Sequence, residues 1–227
     1  MPSTLDTAAA RTEAAPRVRL TEIFLSIQGE ADSVGWPTVF VRLTGCPLRC
    51  QYCDTQYAFH GGEWFAIDEV LARVASFDTP RVCVTGGEPL AQKHCLTLLR
   101  ALCDAGCRVS LETSGAVEIA PVDPRVTRVV DVKTPGSGEV KRNRLGDLRL
   151  LRAEEQIKFV ICDRTDFDWS RELVRAERLH EICTVLFSPS YTQLAPRELA
   201  EWILAERLPV RLQVQLHKYL WGDTPGK

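Results

Sequence analysis

Cys46, Cys50 and Cys53 form a C-x3-C-x2-C run just after the apolar stretch Val39–Leu43 and Gly45, so one compact loop presents three thiols. Thiolates are soft ligands and suit zinc or an iron–sulfur centre. A structural zinc ion asks for a closed tetrahedral shell, which His60 or a further cysteine would have to complete here. A [4Fe–4S] cube takes one terminal ligand on each iron, so three cysteines leave one iron with an open position. Spacing alone leaves both centres standing.

Other residues with chemistry in them sit where apolar runs end. Val82–Thr85 leads into Thr85-Gly86-Gly87-Glu88-Pro89, where a glycine pair permits close approach of backbone to a ligand, or simply makes a turn. Glu112 heads Glu112-Thr113-Ser114-Gly115, Lys133 follows Arg128–Val132, and Ser188–Tyr191 closes another run. His217 lies on a terminal apolar segment that reads as a strand, a setting in which a satisfied core histidine is the ordinary role.

Such positions need a scaffold that gathers strand ends. From Leu20 onward, β-branched and aromatic runs alternate with helix-length amphipathic stretches, the pattern of βα units on a mostly parallel sheet. The runs predict strands at Thr21–Ile27, Thr38–Thr44, Val82–Thr85, Arg108–Glu112, Arg128–Val132, Gln156–Ile161, Thr184–Ser188 and Val210–Leu216, the first two suiting a hairpin. Ile67, Val70, Leu71 and Val74 recur at helical spacing, as do Cys95, Leu98, Leu99 and Leu102, and Leu199, Trp202 and Ile203 repeat this behind Pro196. The expected fold is α/β: a partial, open (β/α) barrel of about six parallel strands, too few to close, with its site beyond their C-terminal ends. Residues 1–18 read as a disordered N-terminal tail and residues 19–227 as one catalytic domain.

With 227 residues, 45% of them hydrophobic, the chain can bury the core of one such domain. A net charge of −2 gives no positive field for a phosphate backbone, so nucleic acid is not expected as a partner. No apolar run approaches the roughly 18 residues of a membrane span, so none is expected. Nine cysteines, odd in number and unevenly spaced, suit a reducing cytoplasm better than a disulfide framework. Five basic side chains between Lys141 and Arg152 read either as a solvated face or as a docking patch for an acidic protein.

The cysteine run resembles the signature of radical S-adenosylmethionine (SAM) enzymes, with Tyr52 before its last cysteine and Gly86-Gly87-Glu88 similar to that superfamily's GGE motif. This implies one [4Fe–4S] cluster on Cys46, Cys50 and Cys53, the remaining iron being chelated by the amino and carboxylate groups of SAM. Four further segments resemble the 7-carboxy-7-deazaguanine synthase family, and the match spans residues 20–220. They are Glu22-Ile23-Phe24-x-Ser26-Ile27-Gln28-Gly29-Glu30, Arg42 within Val39–Cys46, Cys53-Asp54-Thr55, and Gln215-x-His217-Lys218-Tyr219. That family converts 6-carboxy-5,6,7,8-tetrahydropterin to 7-carboxy-7-deazaguanine with loss of ammonia, a carbon–nitrogen lyase reaction on the route to queuosine and other 7-deazapurines.

The resemblance implies SAM contacts from Tyr52, Asp54, Gly86, Gly87, Glu88, Asp131, Val132, Lys133, Ser188, Pro189, Ser190 and Tyr191. It implies substrate contacts from Ile27, Gln28, Gly29, Arg42, Thr85, Gln215 and Pro225, with Glu112 orienting the substrate and His217 a buried donor beside it. Gln28 would meet the amide-like pterin edge unless it only caps a strand, and Arg42 would meet the carboxylate unless it pairs with Glu112. Thr55 would ligate Mg2+, its other reading being a turn cap. Family precedent also implies a homodimer and an electron donor such as flavodoxin. Ala31 departs from the pattern, standing where a glycine is expected after Gly29-Glu30. The rivals are an activase of a glycyl-radical enzyme, which shares the cysteine run but would lack the Gln28 and His217-Lys218 segments, and a zinc-stabilised binding module.

Overall fold

The computed structural model describes residues 15–222 together with Thr224 and Gly226. β1 (Arg17–Ile27) turns back into antiparallel β2 (Pro37–Leu43), and the short β3 (Glu63–Ala66) pairs with the other edge of β1. α1 (Ile67–Ala75) leads to β4 (Arg81–Gly86), α2 (Cys95–Asp104) to β5 (Arg108–Thr113), and a loop to β6 (Thr127–Val132). Then follow β7 (Gln156–Ile161), α3 (Arg164–Ala176), β8 (Thr184–Pro189), α4 (Pro196–Glu206), β9 (Arg211–Leu212) and α5 (Leu216–Trp221). The strands make one sheet in the order β3-β1-β2-β4-β5-β6-β7-β8-β9, parallel from β2 onward, with β3 and β9 at its free edges. The sheet is therefore open, as expected of a partial barrel, and β9 is a rudiment beside the six longer parallel strands.

Alternation along each strand decides what it buries. Val41, Leu43, Val84, Leu111, Val130, Val132, Phe159 and Phe187 point outward and are all buried under helices. α1 and α2 cover one half of the sheet with Val70, Val74, Leu98, Leu99 and Leu102. α3 and α4 cover the other with Phe167, Val174 and Leu199, where Phe187 meets Phe167 and Phe159 edge-on at centroid distances of 5.8 and 5.4 Å. The opposite faces of the same strands carry Arg42, Thr85, Glu112, Asp131, Lys158 and Ser188, a polar row that faces the interior. Register sets neighbours within that row, pairing Arg42 with Thr85 and Asp131 with Lys158.

Two boundaries differ from expectation. β1 begins at Arg17 and Val18 is fully buried, so the domain takes in residues assigned to the tail. The predicted strand Val210–Leu216 shrinks to Arg211–Leu212, because Leu212 and Val214 face solvent while Gln213 turns inward to accept from Ala31 N at 2.9 Å. His217 consequently stands in the first turn of α5 and is only half-buried, not a core residue of a strand. Residues 1–14 of the expected tail, and Pro225, lie outside the described residues. Among the described residues no helix is long and apolar enough to cross a membrane.

Candidate active site

The interior row and the loops beyond it enclose a cavity of about 620 Å³, within the roughly 300–1,000 Å³ usual for small-molecule sites. The cysteine loop enters it from the end of β2 and is seated on the end of β4. Gly87 N donates to Leu43 O at 3.0 Å and Glu88 N to Gly45 O at 2.8 Å. A Cβ on Gly86 would come within 2.2 Å of Leu43 O, and one on Gly87 within 2.1 Å of Gly45 O. The glycine pair is thus required by its own chain, whatever it also offers a ligand.

Cys46, Cys50 and Cys53 all line the cavity and none is fully buried. Burial pushes the Cys46 thiol up and that of Cys50 up to about 11, with the Lys133 ammonium working against the shift in both. His60, the sequence's candidate for a fourth zinc ligand, is exposed, packs against Phe59 and lies outside the cavity lining. Among the described residues no three His, Cys, Asp or Glu side chains converge as the ligands of one metal ion would. Three thiols lining one cavity suit a cube, which presents each iron at a separate corner.

The same wall holds two buried polar atoms with no protein partner among the described residues, the Tyr52 hydroxyl and Asp131 Oδ1. Buried polar atoms are normally hydrogen-bonded, so both fit a polar group bound in the cavity. Burial, then Asp131, pushes the Tyr52 phenol well up, keeping it a donor. Lys133 Nζ pairs with Asp131 Oδ2 at 3.1 Å. Asn143 fixes the main chain there, accepting from Lys133 N and donating to Lys133 O, each at 2.8 Å.

Across the cavity, Glu112 Oε2 accepts from Thr85 Oγ1 at 2.9 Å and Glu112 Oε1 from Gln28 Nε2 at 3.3 Å. Arg42 pairs through Nε with Glu22 at 2.6 Å, not with Glu112, and the Tyr57 hydroxyl donates to the same Glu22 oxygen at 2.8 Å. Glu30 accepts from Gln215 Nε2 at 2.9 Å and forms a buried ion pair with Lys158. Burial alone would raise the Glu30 carboxyl, but Lys158 overrides it and holds the group below its ordinary 4.5. Burial would likewise lower Lys158, and Glu30 instead holds it above 10.5. Sequence reading did not single out this pair as part of the site.

α5 closes the side of the cavity. Leu216 N donates to Gly29 O at 3.0 Å, and Lys218 Nζ lies 3.6 Å from Asp54 Oδ2 and 5.5 Å from the Tyr191 ring centroid. The helix thereby ties together the loop after β1, the cysteine loop and the end of β8. Burial depresses the His217 imidazole below 6.5 despite the Glu30 and Asp54 carboxylates, so it is neutral at pH 7. Thr55 occupies the cap position of the turn Gln56–Ala58, but its hydroxyl makes no capping hydrogen bond and lies 3.7 Å from Cys53 Sγ.

Ile27, Gln215, Ser188, Pro189, Ser190 and Tyr191 also line the cavity. Val132 does not: it alternates with Asp131 and Lys133 and is buried in the outer core. Glu88 is fully buried beneath the cavity, its carboxylate accepting from Thr113 Oγ1, Ser114 N, Ser114 Oγ and Leu90 N. Both leave only main-chain atoms for the expected SAM contact. Gly29 backs His217, since a Cβ there would meet His217 Nδ1 at 2.0 Å.

The chain is similar to known proteins. A model of the radical SAM superfamily matches residues 40–123. The 7-carboxy-7-deazaguanine synthase of Chlorobaculum tepidum is 45% identical over 213 residues, 92% of this chain and 97% of that protein. Its namesake from Koribacter versatilis is 40% identical over 225 residues, 92% of this chain and 100% of that protein. The crystal structure of QueE from Escherichia coli matches 88% of this chain and 95% of its own with a TM-score of 0.72, a likeness of fold at 24% identity.

Proposed function

Because the chain belongs to the 7-carboxy-7-deazaguanine synthase family of radical SAM enzymes, we propose that it contracts the ring of 6-carboxy-5,6,7,8-tetrahydropterin to give 7-carboxy-7-deazaguanine. The reaction releases ammonia, a carbon–nitrogen lyase step toward queuosine and other 7-deazapurines, and is assisted by Mg2+. The observation that carries this reading is that the cysteine loop, the Tyr52 and Asp131 orphan atoms, and the Gln28–Glu112–Thr85 network all face one cavity.

Cys46, Cys50 and Cys53 would hold the cluster, and SAM would lie against Tyr52, Asp54, Gly86, Gly87, Asp131, Lys133 and the β8 end at Ser188–Tyr191. Together cluster and SAM supply a 5′-deoxyadenosyl radical that takes hydrogen from carbon. The chain's own residues do the placing. Glu112, fixed by Thr85 and Gln28, orients the donor-rich pterin edge, with Ile27, Gln28 and Gln215 beside it. Arg42 has N–H groups beyond the Nε spent on Glu22, and these suit the substrate carboxylate. Neutral His217 donates or accepts one hydrogen bond without adding charge, and the Thr55 hydroxyl serves Mg2+. Phe24, Phe40, Val129 and Val160 form an apolar wall that keeps water from a reactive carbon centre.

All nine cysteines are free, which supports a reducing, cytoplasmic setting. Exposed Trp36, Trp64 and Tyr219 support a homodimer. Arg144, Arg149 and Arg152 are engaged by Asp147, Glu177 and Glu154, so a docking patch for an acidic donor such as flavodoxin narrows to Lys141 and Arg142. Anaerobic incubation with carboxytetrahydropterin, SAM, Mg2+ and dithionite should yield 7-carboxy-7-deazaguanine by mass spectrometry. SAM cleavage without that product would count against the proposal.

A further inference from the structure

The loop that carries Cys50 is gripped from outside by a segment with no role in substrate or SAM binding. Arg49 N donates to Glu139 Oε1 at 2.6 Å and Gln51 N donates to Ser137 O at 3.0 Å, so both neighbours of Cys50 are tied to residues 137–139. That segment is itself anchored. The fully buried Ser137 donates its hydroxyl hydrogen to Thr134 O at 2.6 Å and accepts from Glu139 N at 3.0 Å. Asp166, fully buried in the first turn of α3, accepts from Gly136 N at 2.7 Å and from Thr134 Oγ1 and Cys162 N at 3.0 Å each. A Cβ on Gly136 would come within 2.5 Å of Asp166 Oδ2, so only glycine permits this approach.

Resting on the reading of Cys46, Cys50 and Cys53 as cluster ligands, we propose that residues 134–139, anchored by Asp166, form a cradle that sets the place of Cys50, with Glu139 as its positioning residue. The Glu139 carboxylate makes a charge-assisted hydrogen bond to the amide next to a ligand, which is stronger than a neutral one and orders the loop. It also places a negative charge beside that loop. The Arg49 guanidinium is engaged elsewhere: Nη1 donates to Cys46 O at 2.7 Å and Leu48 O at 2.6 Å, and the group lies 4.4 Å from the Phe59 ring centroid. A nearby negative charge disfavours the extra electron of a reduced cluster, and order in the ligand's surroundings slows metal loss.

Two substitutions separate the roles. Glu139→Gln keeps an acceptor oxygen and removes the charge; Glu139→Ala removes both. In cluster-loaded protein, Glu139→Ala should release iron to a chelator about ten-fold faster, as expected for loss of one charge-assisted hydrogen bond, while Glu139→Gln stays within about three-fold of the original. An electron paramagnetic resonance redox titration should place the reduction potential of both variants above that of the original chain. In cluster-free protein, the Arg49 amide should exchange its hydrogen faster in Glu139→Ala than in Glu139→Gln. Unchanged iron release in Glu139→Ala overturns the cradle, and an unchanged potential in Glu139→Gln overturns the charge effect. Absence of any iron–sulfur cluster in the original chain would instead remove the reading on which both rest.

Discussion

Lys158 and Glu30 hold opposite charges that neither could keep alone inside the cavity wall, so their pairing sets the local energetics. Lys158→Met should lower stability by about 3–5 kcal/mol in urea denaturation, because Glu30 is left buried without its cation, and adding Glu30→Gln should recover much of the loss. The depressed Glu30 carboxyl contributes stability that is present above its ordinary 4.5 and lost as pH falls through the folded value. The raised Lys158 contributes stability present below 10.5 and lost as pH climbs through its folded value. Stability measured against pH should therefore lose both limbs in the double variant. Thr55→Ala should retain the iron–sulfur chromophore and lose the response of turnover to Mg2+. The cysteines, the glycine pair and Glu112 were legible because such residue types end apolar runs. Lys158 was not: its partner Glu30 lies 128 residues away in a loop, and only the folded chain brings the two together. Val132 and Glu88 turn their side chains away from the cavity, Val132 by strand alternation and Glu88 by its bonds to Thr113 and Ser114, and residue type alone shows neither.

Elements that obey one period were readable, and those that break it were not. β4 to β8 are short runs rich in β-branched and other apolar residues, and α1, α2 and α4 keep a clean helical stripe. α3 escaped notice because Asp166 and Ser170 interrupt its buried face, and β3 because four residues pair only with the long β1. The strand expected at Val210–Leu216 rests on the alternation of Val210, Leu212, Val214 and Leu216, yet Gln213 is the buried member of that stretch. The loop between β1 and β2 turns on Ala31, whose φ of 63° lies in the left-handed region that favours glycine. This gives a physical reason for the glycine expected there. Ala31→Gly should raise stability by up to about 1 kcal/mol in urea denaturation, while Ala31→Val should lower it. Where α5 meets that loop, His217 should titrate by NMR with a midpoint below 6.5, contributing stability present above 6.5 and lost as pH falls through the folded value.

At the scale of the molecule, an open sheet with one polar face and one apolar face does two jobs at once: helices pack on the apolar side, and the polar side is left to line a cavity. Charge is close to balanced, at −2, so attraction of a partner has to be local rather than global. Reversing Lys141 and Arg142 should slow flavodoxin-driven turnover at low salt and leave dithionite-driven turnover unchanged. The cavity's purpose rests on what the three cysteines hold. Iron, sulfide and zinc content, measured on oxygen-protected protein for the original chain and for Cys50→Ala, tests this most directly. The expected result is iron and sulfide in the proportion of one [4Fe–4S] cube per chain, both lost in the variant. Stoichiometric zinc without sulfide, or an iron content indifferent to Cys50→Ala, would contradict it.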